Sequence, residues 1–223
     1  MCVMKIGMQS IKYQNGFGNA NFTSADSLNF GKKFLSKAVV RNVEGGSSRV
    51  NFVEYEPGVE EDREQIRRIN VLWEPDNGYL ADISSNFSGR TPAYAAHYYG
   101  LEDENGDTLV IAETSDTKKY TGRDFLSKDC LNIRYIQTHP DEIFSSKNRI
   151  YKGLGEVLVS SIVKKAKKGR KFCVELKSAN EQFWSESGLF KYMGYEGGMP
   201  VRALMRDDFD AYVRHVEDKN GTV

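Results

Sequence analysis

The chain has 223 residues, 39% of them hydrophobic and 12% aromatic, which suits one domain with a substantial core and falls short of two full domains. Lys plus Arg and Asp plus Glu balance at 31 each, so no net field draws the chain to nucleic acid or to an anionic membrane surface, and any basic site must be local. No run of about 18 apolar residues is present to span a bilayer, and Met1 to Ser10 lacks a signal peptide's apolar core. A soluble cytoplasmic protein is expected, with neither a nucleic-acid nor a membrane partner.

Residues 1–45 are rich in Asn, Gly, Ser and Lys, with isolated aromatics at Tyr13, Phe17, Phe22, Phe30 and Phe34 and no sustained period. They read as a weakly ordered extension. From Arg49 the pattern changes: Val50, Phe52, Val53 and Tyr55 predict a first strand that stops at Pro57-Gly58. Ile66, Ile69, Leu72 and Trp73 then recur at helical spacing behind an acidic opening turn, which predicts the first helix.

Asn77 to Pro92 reads as loop with a short helix at Tyr79 to Ser84. Ala93 to Tyr99 and Thr108 to Glu113 flank Glu104-Asn105-Gly106-Asp107, a hairpin signal, because Asn-Gly accepts the positive φ angles of a tight turn. Leu131 to Thr138 alternates as a further strand and ends at His139-Pro140, since proline cannot donate to a ladder.

Leu158, Val159, Ile162, Val163 and Ala166 form one apolar helical stripe, with Lys164, Lys165, Lys167 and Lys168 in its last turn and Gly169 as its stop. Those lysines suit the helix dipole and predict a solvated face. Phe172, Val174 and Leu176 alternate as a strand, followed by a helix over Asn180 to Met193, an extended Val201 to Met205, and a short terminal helix over Asp207 to Val216 capped by an aspartate. The fold class is therefore α/β (α+β), a mixed central sheet flanked by helices. The predicted organisation is a domain over 46–206 and a tail over 207–223.

Cys2, Cys130 and Cys173 show no CxxC spacing and no His-rich neighbourhood, so buried or idle thiols in a reducing compartment are expected, and no metal. Cys173 reads as a packing residue of its strand, and His97 as structural or cleft-lining.

The chemistry is expected where the strand that ends at Pro140 returns to Lys152-Gly153-Leu154-Gly155 at the mouth of the amphipathic helix. Glycines let a backbone approach a ligand closely, and the free N–H groups of a helix start point at an anion. A Walker A loop is excluded, because Gly155 is followed by Glu156-Val157, and a Rossmann fingerprint lacks its third glycine.

With Leu189-Phe190-Lys191-Tyr192-Met193-Gly194-Tyr195 following in the right order, the segment Leu131 to Tyr195 resembles the GNAT acetyltransferase superfamily, as a divergent member. The resemblance implies acetyl-CoA as acyl donor, an amine acceptor of unknown kind, and a monomer or homodimer. It places the pantetheine arm on backbone groups of Ile136, Gln137 and Thr138. It places the pyrophosphate on the amides of Lys152, Gly153, Leu154, Gly155 and Glu156, with Asn180 as a further coenzyme contact. Phe190 falls where the family often carries a proton-donating tyrosine, and Ile150 where it carries Gln or Arg, with Arg149 adjacent. Glu113 and His139 are the candidates for a general base. The implied activity is N-acyl transfer by direct attack; the alternatives are an inactive coenzyme-binding or protein-interaction module of the same shape, and a scaffold whose Gly-x-Gly is only a turn.

Overall fold

A computed structural model describes residues 31–74, 78–89, 96–121, 126–143, 145–177, 187–196 and 198–221. Neighbouring residues of the central strands point to opposite faces, and both faces are apolar: Phe52 against Val53, Tyr98 against Tyr99, Val110 and Ala112 against Ile111. A sheet with two oily faces must be covered twice. Helices α1 (Glu60–Leu72) and α2 (Leu80–Ser88) cover one, through Ile66, Ile69, Leu80, Ile83 and Phe87. Helices α3 (Leu154–Lys168) and α4 (Phe209–Asn220) cover the other, through Leu158, Ile162, Phe209, Tyr212 and Val216. Each such side chain contributes roughly 1.5–3 kcal/mol of burial.

The strands are β1 (Lys33–Asn42), β2 (Ser47–Tyr55), β3 (Ala96–Glu102), β4 (Thr108–Thr121), β5 (Leu126–Thr138), β6 (Tyr151–Lys152), β7 (Cys173–Lys177), β8 (Lys191–Glu196) and β9 (Met199–Met205). They form one sheet in the order β6-β1-β2-β3-β4-β5-β7-β9-β8. The β5–β7 pair is parallel, joined by the crossover through α3, and the other described pairs are antiparallel. The predicted mixed sheet flanked by helices is therefore present.

Several boundaries differ from the sequence reading, each for a physical reason. Within the extension expected over 1–45, residues 33–42 are strand β1, which pairs with β2 and buries Ala38 and Val40. An edge-side strand needs few apolar residues, so its pattern is faint. Of the helix expected over Asn180 to Met193, residues 180–186, Asn180 among them, lie outside the described residues, and Lys191 to Met193 belong to β8. The terminal helix is a core element, since Phe209, Tyr212 and Val216 are buried, and its N-cap Asp208 makes no side-chain cap. Cys130 and Cys173 are not separate thiols: they face each other across β5 and β7 as a disulfide, with Cα atoms 4.8 Å apart, well within the range for a bridge.

Three lysines of α3, and Lys171 just beyond it, are tied down rather than simply solvated. Lys164 pairs with Glu217 and Lys167 with Asp210, both on α4, while Lys165 reaches Glu54 on β2 and Lys171 reaches Asp116 on β4. Gly100 permits a second tie, because a Cβ there would lie 2.8 Å from the Tyr55 ring, whose hydroxyl donates to buried Glu102 at 2.8 Å.

Glu54 carries a testable consequence. Burial pushes its carboxyl up, but hydrogen bonds from His97 and Lys165 and their charges outweigh burial and bring it down to about 2. A carboxylate depressed in the folded state contributes stability that is complete above its unfolded pKa of about 4.3 and is lost as pH falls toward the folded value. Glu54→Gln is expected to flatten the loss of Tm between about pH 4.5 and 2 in an acid series; an unchanged slope would show that the pair contributes nothing.

Candidate functional site

The ladder between β5 and β7 holds four registered pairs, from Cys130 with Cys173 to Ile133 with Leu176. Arg134 is then extra: Glu113 pairs with Tyr135 and Thr114 with Ile133, so β5 bulges there and turns its end away. His139 donates its N–H to the Leu109 carbonyl on β4 at 2.9 Å. By the alternation of an antiparallel ladder, the peptide groups of Gln137 face β4, and those of Ile136 and Thr138 face the opening on the β7 side. Among the described residues no strand pairs with that edge. Among the described residues the result is a short edge inside a sheet, where the N–H groups of Ile136 and Thr138 pair with no strand and can serve an extended ligand.

The side chain of Gln137 belongs to the other face. Its Oε1 accepts the Tyr79 N–H at 3.0 Å, and its Nε2 donates to the Thr138 carbonyl at 3.1 Å, fixing the start of α2 against β5. Glu113 and Arg134 also face α2. Glu113 is fully buried and accepts from Arg134 Nη1 at 2.7 Å on one oxygen and from Asn86 Nδ2 at 2.8 Å on the other. Burial pushes its carboxyl up, against the lowering effect of both partners. With both oxygens engaged, Glu113 does not fit the base role expected of it; it fixes the side chain of the bulged arginine. The hydroxyl of Tyr98, buried on the same face, has no hydrogen-bond partner among the described residues.

His139 stands edge-on to Trp73, with ring centroids 5.1 Å apart. Its Nδ1 accepts the Asp141 N–H at 3.1 Å, which leaves the neutral ring with its proton on Nε2. The expected base is therefore held as a donor. Beside it opens a groove of about 920 Å³ between α1, the β3–β4 hairpin and the 139–151 segment. Glu61, Glu64, Asp103, Asp107, Asp141 and Glu142 line it against Arg68, with Ile69, Leu72 and Trp73 as an apolar wall. Such a field repels phosphate and attracts a cation. Among the described residues no group of three such side chains is arranged to hold a metal ion.

The Lys152–Gly155 turn lies elsewhere. Lys152 pairs with Arg41 on β1, four strand positions from β5 in the sheet. Glu142 makes this path by accepting the Ile150 and Tyr151 N–H groups, at 3.1 and 2.7 Å. Gly153 is the N-cap of α3 with φ of 72°, and a Cβ on it would meet Asn220 Oδ1 at 3.2 Å. Glu156 in the first turn is paired with Lys219 at 2.8 Å. The C-terminal end of α4 thus packs against the start of α3, the favourable meeting of opposite dipole ends. Gly155 faces open space, with nothing within 4 Å of where a Cβ would sit. The structure does not bring Lys152, Gly153, Leu154, Gly155 and Glu156 to the edge at Ile136 to Thr138.

Phe190 is buried, edge-on to Tyr212 at 5.1 Å, and packs in the core beneath α4. It neither donates a proton nor faces the β5 edge as a polar group would. Sequence reasoning missed Asn86, Arg134, Trp73 and the groove carboxylates. A bulge has no sequence code, and acids drawn from three segments show no local spacing.

The Glu113 ion pair can be tested directly. Arg134→Met leaves the Glu113 carboxylate buried with Asn86 alone, and a loss of about 1–3 kcal/mol is expected in denaturant melts at pH 7, partly restored by Arg134→Lys. A raised carboxyl is penalised fully above its folded pKa and not at all below its unfolded one. The deficit should therefore shrink as pH falls toward about 4.3; a deficit that does not change with pH would point to lost packing alone.

No protein-family model and no curated protein matches the chain. Solved structures similar to it include a GNAT-family acetyltransferase from Listeria monocytogenes 4b F2365, 12% identical with a TM-score of 0.47, covering 75% of this chain and 98% of that one. A spermidine N-acetyltransferase SpeG chimera from Vibrio cholerae and hSSAT is 12% identical with a TM-score of 0.46, covering 72% and 97%. A variant of the AtaT toxin, bound to the C-terminus of the antitoxin AtaR and acetyl-CoA, is 10% identical with a TM-score of 0.45, covering 60% and 81%.

Proposed function

We propose that the chain is a divergent GNAT-type acyl-CoA-dependent N-acyltransferase that takes acetyl-CoA along the free edge of β5. The observation that carries this reading is the break in the β5–β7 ladder at Arg134, which leaves the peptide groups of Ile136 and Thr138 facing an opening. An amide-bearing arm such as pantetheine is the natural complement of such an edge, because it can exchange hydrogen bonds with it as a strand does. In this reading the Lys152–Gly155 turn organises the joint between α3 and α4 and does not hold the coenzyme.

The acceptor is a cationic amine drawn into the acid-lined groove at the exit of β5. After losing a proton to a groove carboxylate, the amine attacks the thioester carbonyl. The C–N bond forms as the C–S bond breaks, and the departing CoA thiolate takes up the proton that the acylated nitrogen gives up, leaving as the thiol. Alignment supplies most of the acceleration, since bringing two reactants together is worth several kcal/mol. His139 contributes its Nε2 proton as a hydrogen-bond donor.

Titration with acetyl-CoA is expected to raise the Tm, and Thr138→Pro, which removes an N–H facing the opening without touching the β4 ladder, is expected to abolish the rise in a variant that still melts cooperatively. Gly155→Glu should keep it. Absence of any shift in the parent chain rejects the proposal, and loss of the shift in Gly155→Glu with retention in Thr138→Pro returns the coenzyme to the turn.

The second reading is a coenzyme-binding module without turnover. It is favoured by Phe190 in the proton-donor position and by the occupied acceptor atoms of Glu113 and His139. Release of CoA thiol with a panel of cationic amines separates the two, and turnover in any of them excludes the second.

A further inference from the structure

The parallel joint of the sheet is also where it is closed covalently. Cys130 and Cys173 are in register on β5 and β7, buried at 0% and 3% exposure, and three residues before the ladder ends at Ile133 and Leu176. One side of this joint carries β6-β1-β2-β3-β4-β5, and the other carries β7-β9-β8. Besides α3 packing across both, the joint carries four registered pairs, the disulfide, the Phe172 N–H on the Asp129 carbonyl at 2.7 Å and the Lys171–Asp116 ion pair to β4. The bond sits at the end of the four-pair ladder that lies away from the opening at Arg134, so it ties the two strands behind the point where they part.

We propose that Cys130 and Cys173 form a reversible thiol–disulfide couple that sets how far β7, β9 and β8 can move from β5, and so regulates access to the Ile136–Thr138 edge. The regulatory half of this inference rests on the reading of that edge as the coenzyme site; the mechanical half does not.

The oxidant is a low-molecular-weight disulfide such as oxidised glutathione. One cysteine, as its thiolate, attacks a sulfur of the small disulfide, forming a mixed disulfide and releasing one small thiol. The second cysteine then attacks the mixed disulfide at the protein sulfur, the Cys130–Cys173 bond forms, and a second small thiol leaves. Two electrons pass from the protein sulfurs to the small disulfide, and the two protein protons end on the two released thiols. Because neither sulfur is reachable with the strands paired, exchange in either direction requires β5 and β7 to part, which couples the chemistry to the motion.

The full chain is prepared in disulfide and dithiol forms, verified by alkylation and intact mass. Hydrogen exchange is measured over 130–138 and 199–205, and acetyl-CoA affinity by calorimetry. Faster exchange of both segments in the dithiol form is expected, with Cys130→Ala, Cys173→Ala behaving like the dithiol form under both conditions. Identical exchange in the two forms overturns the hinge, whether or not the chain binds acetyl-CoA. The disulfide form is expected to bind acetyl-CoA at least about fivefold more tightly, the lower end of ordinary coupling between sites. Equal affinity in two forms that both bind overturns the regulation. No binding by either form rejects the coenzyme reading instead, and with it the regulatory half, while the exchange measurement still decides the hinge.

Discussion

One extra residue in β5 shapes the centre of the sheet. Up to Ile133 the strand is locked between β4 and β7; at Arg134 the register slips by one, and the rest of the strand keeps β4 but leaves β7. Sheets ordinarily hide unpaired peptide groups or place them at a protected rim. Here they stand in the interior of a nine-stranded sheet, held by a buried carboxylate, Glu113, that grips the displaced arginine from the α2 side. An apolar residue at 113 would leave that guanidinium without its anion. The disulfide fastens the strands just below the break.

The two helical layers separate the tasks. Below the sheet, α3 and α4 form a close-packed unit, stitched by Lys164–Glu217 and Lys167–Asp210 and closed where the C-terminal end of α4 meets the N-terminus of α3. Exposed pairs of this kind contribute about 0.2–1 kcal/mol each, so the buried stripe from Leu158 to Ala166 decides the stability of that layer. Above it, α1 and α2 leave space at the top of the sheet, and the groove beside His139 gathers carboxylates from α1, the β3–β4 hairpin and the loop after β5.

Much of the fold was legible in the sequence. Strand alternation from Val50 to Tyr55, the Asn105-Gly106 turn and the stripe of α3 all appear where their periods place them. What could not be read was lateral position. Lys152-Gly153-Leu154-Gly155 does open a helix after a strand, with Gly153 in the left-handed region, yet its neighbour in space is β1 and not β5. The eight residues Asp141 to Asn148 are long enough to carry the chain across the top of the sheet, and nothing in their composition says how far they go. Pairing is likewise invisible for Cys130 and Cys173: 43 residues apart, they meet only because the crossover through α3 lays β7 beside β5. The hydrogen bonds that occupy Glu113 come from Asn86 and Arg134, neither of which has a fixed offset from it, whereas His139 is held by the amide of Asp141 two residues on, at the start of a short 3-10 turn.

The central claim concerns backbone atoms, so the most direct measurement reads backbone atoms. In the nitrogen-15 NMR spectrum of the full chain, stepwise addition of acetyl-CoA should move the amide signals of Ile136 and Thr138 saturably and leave those of Leu154, Gly155 and Glu156 in place. Saturable movement confined to Leu154, Gly155 and Glu156, with the β5 edge unchanged, would contradict the account.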